Sequence, residues 1–154
     1  MDTAIHSEDL DAGATDLDRI AQARELAHRA HASQRDKAGL PYVTHLERVA
    51  QAVEGDVDAI VAALLHDLEE DQPEFAHELD RFPAHIRTAV RLLTRRPGVP
   101  VDHYYARIRE NPLALKVKLA DIQDNADESR LSMLDPAVAT RLRAKYTRAL
   151  SALC

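Results

Sequence analysis

Four side chains that suit a divalent metal ion stand out in this sequence. His66 and Asp67 directly follow the apolar stretch AIVAALL, His45 lies upstream of them, and Asp121 lies downstream in another apolar segment. Neutral imidazole and carboxylate groups are suitable ligands for Mn²⁺, Fe²⁺ and Zn²⁺. The sequence therefore predicts a site of two histidines and two aspartates, with positions on the metal left open for water or phosphate.

Further polar residues lie close to these four along the chain. Glu70 and Asp71 follow the His-Asp doublet and are placed to act on water at such a metal. Asn125 lies four residues after Asp121, so one helix can offer a carboxylate to a metal and an amide to a substrate. The alternative interpretation is that HDLEED is an ordinary solvated helix end. The helix dipole favours histidine at a carboxyl end but disfavours aspartate.

The elements that position these residues are predicted to be helical. Thr15 and Asp18 resemble a capping box at the start of the first helix, and Asp56 can cap a buried central one. Neither repeats nor strand-like alternation occur, so the fold class is all-α, a compact orthogonal helical bundle. The predicted helices are about 15–31, 43–53, 57–69, two that begin near Pro73 and Pro83, 101–110, 112–126 and 136–152.

Composition limits the kinds of partner. We expect residues 1–14 to form a flexible lead-in and residues 15–154 to form one domain. A net charge of −6 argues against binding to nucleic acid or to anionic membranes, but it permits a small basic pocket. There is no signal peptide or membrane-spanning run, so we expect a cytoplasmic protein. An apolar strip of Val138, Leu142 and Leu150 on the last helix could support a homodimer.

Three segments together resemble a known enzyme family. They are HASQRDKAGLPYVTH (31–45), AALLHDLEED (62–71) and ALKVKLADIQDN (114–125). In order and separation they are similar to the hydrolase domain of the RelA/SpoT family, within the HD-domain phosphohydrolases, and to its single-domain members, the small alarmone hydrolases. The resemblance covers about residues 16–150 and implies the HD-domain fold.

The resemblance also implies roles for individual residues. His45, His66, Asp67 and Asp121 would bind one Mn²⁺, and Glu70 with Asp71 would activate or orient the attacking water. The implied reaction removes the 3′-pyrophosphate from ppGpp or pppGpp, giving GDP or GTP and pyrophosphate. The residues expected near the substrate are Arg35, Lys37 and Asn125 from the family pattern, with Lys118 as a phosphate partner and Tyr105 as a stacking or hydrogen-bonding side chain.

Departures from the family pattern keep other functions open. Asp36 replaces a basic residue of that pattern, and Ile122-Gln123-Asp124 replaces its Arg-Leu-His. The same site could therefore hydrolyse another nucleotide or cofactor, such as an adenine alarmone or NADPH. A third interpretation is a non-catalytic nucleotide-binding module. The presence of all four presumptive ligands and both carboxylates argues against that third interpretation.

Overall fold

The computed structural model describes residues 15–154, and within this range the chain is helical and contains no strand. The all-α prediction is confirmed. Residues 1–14 lie outside the described residues, so the division into a lead-in and one domain stays a prediction. The α-helices are α1 Asp16–Ala30, α2 Val43–Ala52, α3 Val57–Leu65, α4 Leu68–Asp71, α5 Ala84–Leu93, α6 Val101–Glu110, α7 Pro112–Asn125, α8 Glu128–Leu131 and α9 Pro136–Leu153, and a 3₁₀ helix, Pro73–Arg81, follows α4.

Short polar side chains fix where the helices begin. The Thr15 hydroxyl accepts a hydrogen bond from the Asp18 amide at 3.0 Å, and the Asp18 carboxylate accepts one from the Thr15 amide, so the predicted capping box is present. Asp56 caps α3 by accepting from the Ala59 amide at 3.1 Å. Asn111 caps α7 in the same way, and Pro112 occupies the first turn, where its missing N–H costs nothing.

Helix α3 is the centre of the bundle. It packs against α1, α2, α5 and α7, and its side chains from Val61 to Leu65 are fully buried. A helix that is apolar nearly all round must be enclosed in this way to remove its surface from water. The fold therefore presents the carboxyl end of α3, with its His-Asp doublet, to the helices that surround it.

The structure differs from the predicted helix 57–69 at this doublet. Helix α3 ends at Leu65, and α4 begins at Leu68, because Asp67 adopts φ −102° and ψ 1°, outside the α-helical region. The bend changes the direction in which the Asp67 carboxylate projects. In an uninterrupted helix, neighbouring side chains would diverge by about 100° around the axis.

The predicted apolar strip on the last helix is only partly exposed. Leu142 is 5 % exposed and packs with Leu131 and Ala139, and Val138 is half-buried, whereas Leu150 is exposed. Part of the strip is therefore used inside the protomer, and the homodimer stays a prediction. No helix in the described part of the chain is long and apolar enough to cross a membrane.

Candidate metal centre and flanking cavities

Three helices bring the four predicted metal ligands together in the interior. Helix α2 carries His45, α3 leads into His66 and Asp67, and α7 carries Asp121. One ligand atom from each residue lies within 4.8 Å of those of the other three, and all four residues are buried. We call these four residues the quartet. Their convergence from distant parts of the chain is what a metal centre requires.

Hydrogen bonds outside the quartet orient its two imidazoles. His45 Nδ1 lies 2.7 Å from Asp124 Oδ2, and His66 Nδ1 lies 2.6 Å from the carbonyl oxygen of Ala63. Both partners are acceptors, so Nδ1 carries a proton and donates the hydrogen bond in each ring. The Nε2 atoms of the two rings then face Asp121 Oδ1, at 2.9 and 3.2 Å. Metal-binding histidines are typically held by such bonds from their second nitrogen.

The electrostatics of the quartet favour a cation at its centre. Burial opposes charge on both histidines, but Asp67 and Asp121 outweigh it and raise the pKa of His66 well above its ordinary value. Burial likewise opposes charge on Asp121, but the two histidines and Lys118 hold its pKa well below its ordinary value. Positive charge is needed between these carboxylates, and protons on the imidazoles or one divalent ion can supply it. The donor set thus fits a divalent ion of the Mn²⁺, Fe²⁺ or Zn²⁺ type.

Two further residues that the sequence interpretation did not assign hold the quartet in place. The Tyr42 hydroxyl donates a hydrogen bond to Asp67. Asp124 accepts from His45 and is itself paired with two guanidinium groups, those of Arg48 and Arg130. Helical spacing could have indicated both residues, because Tyr42 precedes His45 by three positions and Asp124 follows Asp121 by three.

The two carboxylates after the quartet are each anchored by one hydrogen bond. Asp71 Oδ2 accepts from the Gln34 amide at 3.0 Å, and Gln34 Oε1 accepts from His31 Nδ1 at 2.6 Å, which fixes the orientation of the Gln34 amide. Glu70 Oε1 accepts from the Arg95 backbone N–H at 2.9 Å. Burial raises the pKa of Glu70 and of Asp71; the hydrogen bonds from Arg95 and Gln34 oppose this effect, and neighbouring carboxylates add to it. Raised pKa values make both carboxylates better proton acceptors.

Two cavities flank this region: one is lined by a quartet residue, and the other approaches the quartet only through Lys118, which contacts Asp121. The first, cavity one, has a volume of about 450 Å³ and includes His45 and Asp71 in its wall; the second, cavity two, has about 510 Å³ and includes Glu70. The two neighbouring carboxylates therefore face different cavities. The predicted substrate residues divide between them: Arg35, Lys37 and Asn125 line cavity one, and Tyr105 and Lys118 line cavity two.

Several of these predicted substrate residues also make contacts within the protein. The Asn125 amide donates to Asp121 Oδ1 at 3.2 Å, and the Lys118 ammonium lies 3.1 Å from Asp121 Oδ2. The Arg35 guanidinium donates to the Gly39 carbonyl at 3.3 Å. Asn125 and Lys118 thus touch a quartet residue as well as a cavity, and Arg35 braces the loop that it belongs to.

The unusual Asp36 has a structural use. Its Oδ1 accepts hydrogen bonds from the backbone amides of Ala38 and Leu40, both at 2.9 Å, and this closes the turn in which Gly39 adopts a φ of +86°. Side chains tolerate that backbone region poorly, so glycine suits the position. The carboxylate still lines cavity one, where it lowers the local positive charge.

Other lining residues come from parts of the chain that the sequence interpretation did not connect with the site. Cavity one includes Arg48, Arg130, Lys145 and Tyr146, together with the apolar side chains of Leu131, Leu134 and Leu142. Lys145 also lines cavity two. No local spacing relates Lys145 to Asp71 or Glu70, so only the packing of α9 against α6 and α7 brings them together.

Comparison with known proteins gives the same picture of the fold and the site region. Residues 23–96 match the family model described as HD domain. The chain is 30 % identical over 118 residues to a probable GTP pyrophosphokinase of Mycobacterium leprae, covering 68 % of this chain and 15 % of that protein. It is 31 % identical over 120 residues to a guanosine-3′,5′-bis(diphosphate) 3′-pyrophosphohydrolase of Aquifex aeolicus, covering 70 % of this chain and 17 % of that protein.

A solved structure is also similar. It is described as a metazoan ortholog of SpoT that hydrolyzes ppGpp and plays a role in starvation responses. The TM-score is 0.70 at 23 % sequence identity, with 88 % of this chain and 85 % of that chain covered. This likeness supports the helical fold assigned above. The curated relatives are much longer proteins, and the present chain corresponds to less than a fifth of their length.

Proposed function

This chain belongs to the HD-domain family, and we propose that it is a metal-dependent pyrophosphohydrolase that removes the 3′-pyrophosphate from ppGpp or pppGpp. The observation that carries this proposal is the buried quartet, flanked by two anchored carboxylates and two cation-lined cavities. The relatives named for guanosine tetraphosphate chemistry indicate the substrate class. Their activity is transferred here only as part of the proposal.

The quartet would hold one divalent ion, which we propose to be Mn²⁺. Such an ion supplies Lewis-acid polarisation of water and of a phosphoryl oxygen. The chain's own contribution is orientation. Asp124 and the Ala63 carbonyl fix which nitrogen of each imidazole points inward, and Tyr42 holds Asp67. These bonds keep the ligand set ordered before any ion or substrate binds.

Glu70 and Asp71 are the groups that would accept the proton of the attacking water. The water oxygen bonds to the phosphorus next to the ribose, the bond from that phosphorus to the 3′-oxygen breaks, and the 3′-oxygen takes up a proton. Asp71 is oriented by the His31–Gln34 pair, and Glu70 by the Arg95 backbone. A carboxylate with a raised pKa is suited to this work near neutral pH.

Cavity one suits the nucleoside part of the substrate. Its wall combines the apolar side chains of Leu131, Leu134 and Leu142 and the ring of Tyr146 with the cationic groups of Arg35 and Lys37. A planar base can pack against the apolar side chains and the Tyr146 ring, and phosphates can pair with the cationic groups. Asn125 lies between the quartet and this wall, so its amide can reach the ribose side of the ligand.

Asp36 favours a second candidate substrate, a different phosphorylated nucleotide or cofactor. Its carboxylate lines cavity one, where a family member of the usual pattern has a basic residue. Less positive charge in cavity one would weaken the binding of a highly anionic guanine alarmone more than the binding of a less charged ligand. A panel of guanine and adenine alarmones and NADPH, assayed in parallel, separates this candidate from the first.

The proposed function is tested by measuring pyrophosphate release from ppGpp with the Mn²⁺-loaded chain. Asp67→Asn removes one charge from the quartet and should abolish release, whereas Asp58→Asn should retain it. Asp58 is a matched control because its side chain is 44 % exposed, it lines neither cavity, and its only ion pair among the described residues is with His85. Circular dichroism shows whether each variant is folded.

Two results would decide against the proposal. Folded, metal-loaded wild-type chain that releases no pyrophosphate from ppGpp excludes that substrate, and activity on another compound of the panel then identifies the second candidate. If Asp67→Asn releases pyrophosphate as fast as wild type, the quartet is not the reactive centre. Inactivity on the whole panel favours the non-catalytic binding module.

A further inference from the structure

Cavity two, like cavity one, carries more cationic than acidic side chains. Four cationic side chains line it, and only Glu70 and Asp102 oppose them, in a chain whose formal net charge is −6. The four cationic residues are Arg95, Lys118, Lys145 and Arg148. A concentration of positive charge in an acidic protein attracts an anion to this place.

Three of these cations have no carboxylate partner. Among residues 15–154, the side chains of Arg95, Lys145 and Arg148 form no ion pair, whereas Lys118 is paired with Asp121. The pKa of Lys145 is lowered, first by desolvation and then by the positive charges of Lys118 and Lys37. Repulsion of this kind is relieved when an anion binds between the ammonium groups.

The place of cavity two relative to the reactive centre limits what the anion can be. Glu70 and Lys118 connect its wall to the quartet, since Lys118 contacts Asp121 directly. Lys145 is the residue that cavities one and two share. An anionic group in cavity two would therefore lie next to the reacting phosphorus of a nucleotide whose nucleoside part occupies cavity one.

We propose that cavity two is a subsite for a pyrophosphoryl group, which can be occupied while a nucleoside diphosphate is bound in cavity one, and that Lys145 contacts both ligands. This inference rests on the proposed function, because it assigns the two halves of the substrate to two cavities. Arg148 serves only the pyrophosphoryl group, since it lines cavity two alone. The two products of hydrolysis thus have separate places in the protein.

The test is calorimetric titration of the full chain with inorganic pyrophosphate, with and without bound Mn²⁺. Arg148→Ala should weaken pyrophosphate binding about tenfold with and without Mn²⁺ and should leave GDP binding unchanged. A tenfold loss corresponds to about 1.4 kcal/mol, as expected when one charge-assisted contact is removed. Arg141→Ala is the matched control, because Arg141 is exposed on the same helix and lines neither cavity. Lys145→Met should weaken the binding of both pyrophosphate and GDP.

Competition between the ligands completes the test. At GDP concentrations that saturate the chain in their own titration, pyrophosphate should still bind. The inference is overturned if GDP displaces pyrophosphate, if GDP does not bind, or if Arg148→Ala binds pyrophosphate as tightly as Arg141→Ala. Its failure is distinguishable from failure of the proposed function, because these titrations need no turnover. A chain that binds both ligands but does not hydrolyse ppGpp retains the subsite and loses the reaction.

Discussion

Asp124 provides the sharpest test of how the quartet is held. Its carboxylate accepts from His45 Nδ1 at 2.7 Å, from Arg48 Nε at 2.8 Å and from Arg130 at 2.7 Å. The Asp124 side chain is 10 % exposed and that of His45 is 3 % exposed. Asp124→Ala therefore leaves a buried imidazole N–H without its acceptor and the Arg48 guanidinium without its partner, whereas Arg130 keeps its bond to the Asp124 backbone carbonyl.

The expected loss follows from these contacts. Removing a carboxylate that orients a metal-binding histidine typically lowers metal affinity about 10- to 100-fold, which equals about 1.4–2.7 kcal/mol of binding free energy. The free energy of unfolding should fall by about 2–4 kcal/mol, mostly from the buried bond to His45, because the two arginines are partly exposed and regain water. Asp124→Asn keeps an acceptor oxygen and should lose less than about tenfold in affinity.

The assay is a Mn²⁺ titration in which electron paramagnetic resonance reports the free ion. Glu110→Gln is the control, because this carboxylate is exposed and lies outside both cavities and the quartet. The reasoning is refuted if folded Asp124→Ala binds Mn²⁺ with wild-type affinity. It is also refuted if Asp124→Asn and Asp124→Ala are equally impaired, since the charge rather than the hydrogen bond to His45 would then be decisive.

Three further predictions concern protonation and positioning. The pKa of His66 in the folded chain lies well above the unfolded value of about 6.5. The protonated ring therefore stabilises the metal-free chain fully below about pH 6.5, and this stabilisation is lost as the pH rises through the folded pKa. The Tm measured in EDTA should fall over that range. With Mn²⁺ bound, Tm should instead rise with pH, because protons compete with the ion for the ligands. The same pH dependence of Tm with and without Mn²⁺ would contradict this prediction. Tyr42→Phe removes the donor to Asp67 and should lower Mn²⁺ affinity roughly tenfold, as a titration will show. Gln34→Leu frees Asp71 and should lower kcat about tenfold while Mn²⁺ affinity and KM stay near wild type, whereas a change in KM alone would argue against a positioning role.

Much of the site was predictable from local spacing. The helix-capping residues, the apolar periodicity and the AALLHDLEED segment predicted helices with chemistry-bearing residues at defined positions, because helix formation depends on residues a few positions apart. The same logic identified the quartet residues, which the structure places together. The break at Asp67 was not predicted, since nothing in the local pattern forbids a continuous helix through this position.

Tertiary packing decided what surrounds the quartet. The sequence by itself determined which residue types were available: two imidazoles, several carboxylates and a set of scattered cations. Only the enclosure of α3 by its neighbours determined that Asp124 orients His45, that Glu70 and Asp71 face different cavities, and that Lys145 borders both. These relations join residues far apart in the chain, and their distances are set by how the helices pack against one another, which no local pattern encodes.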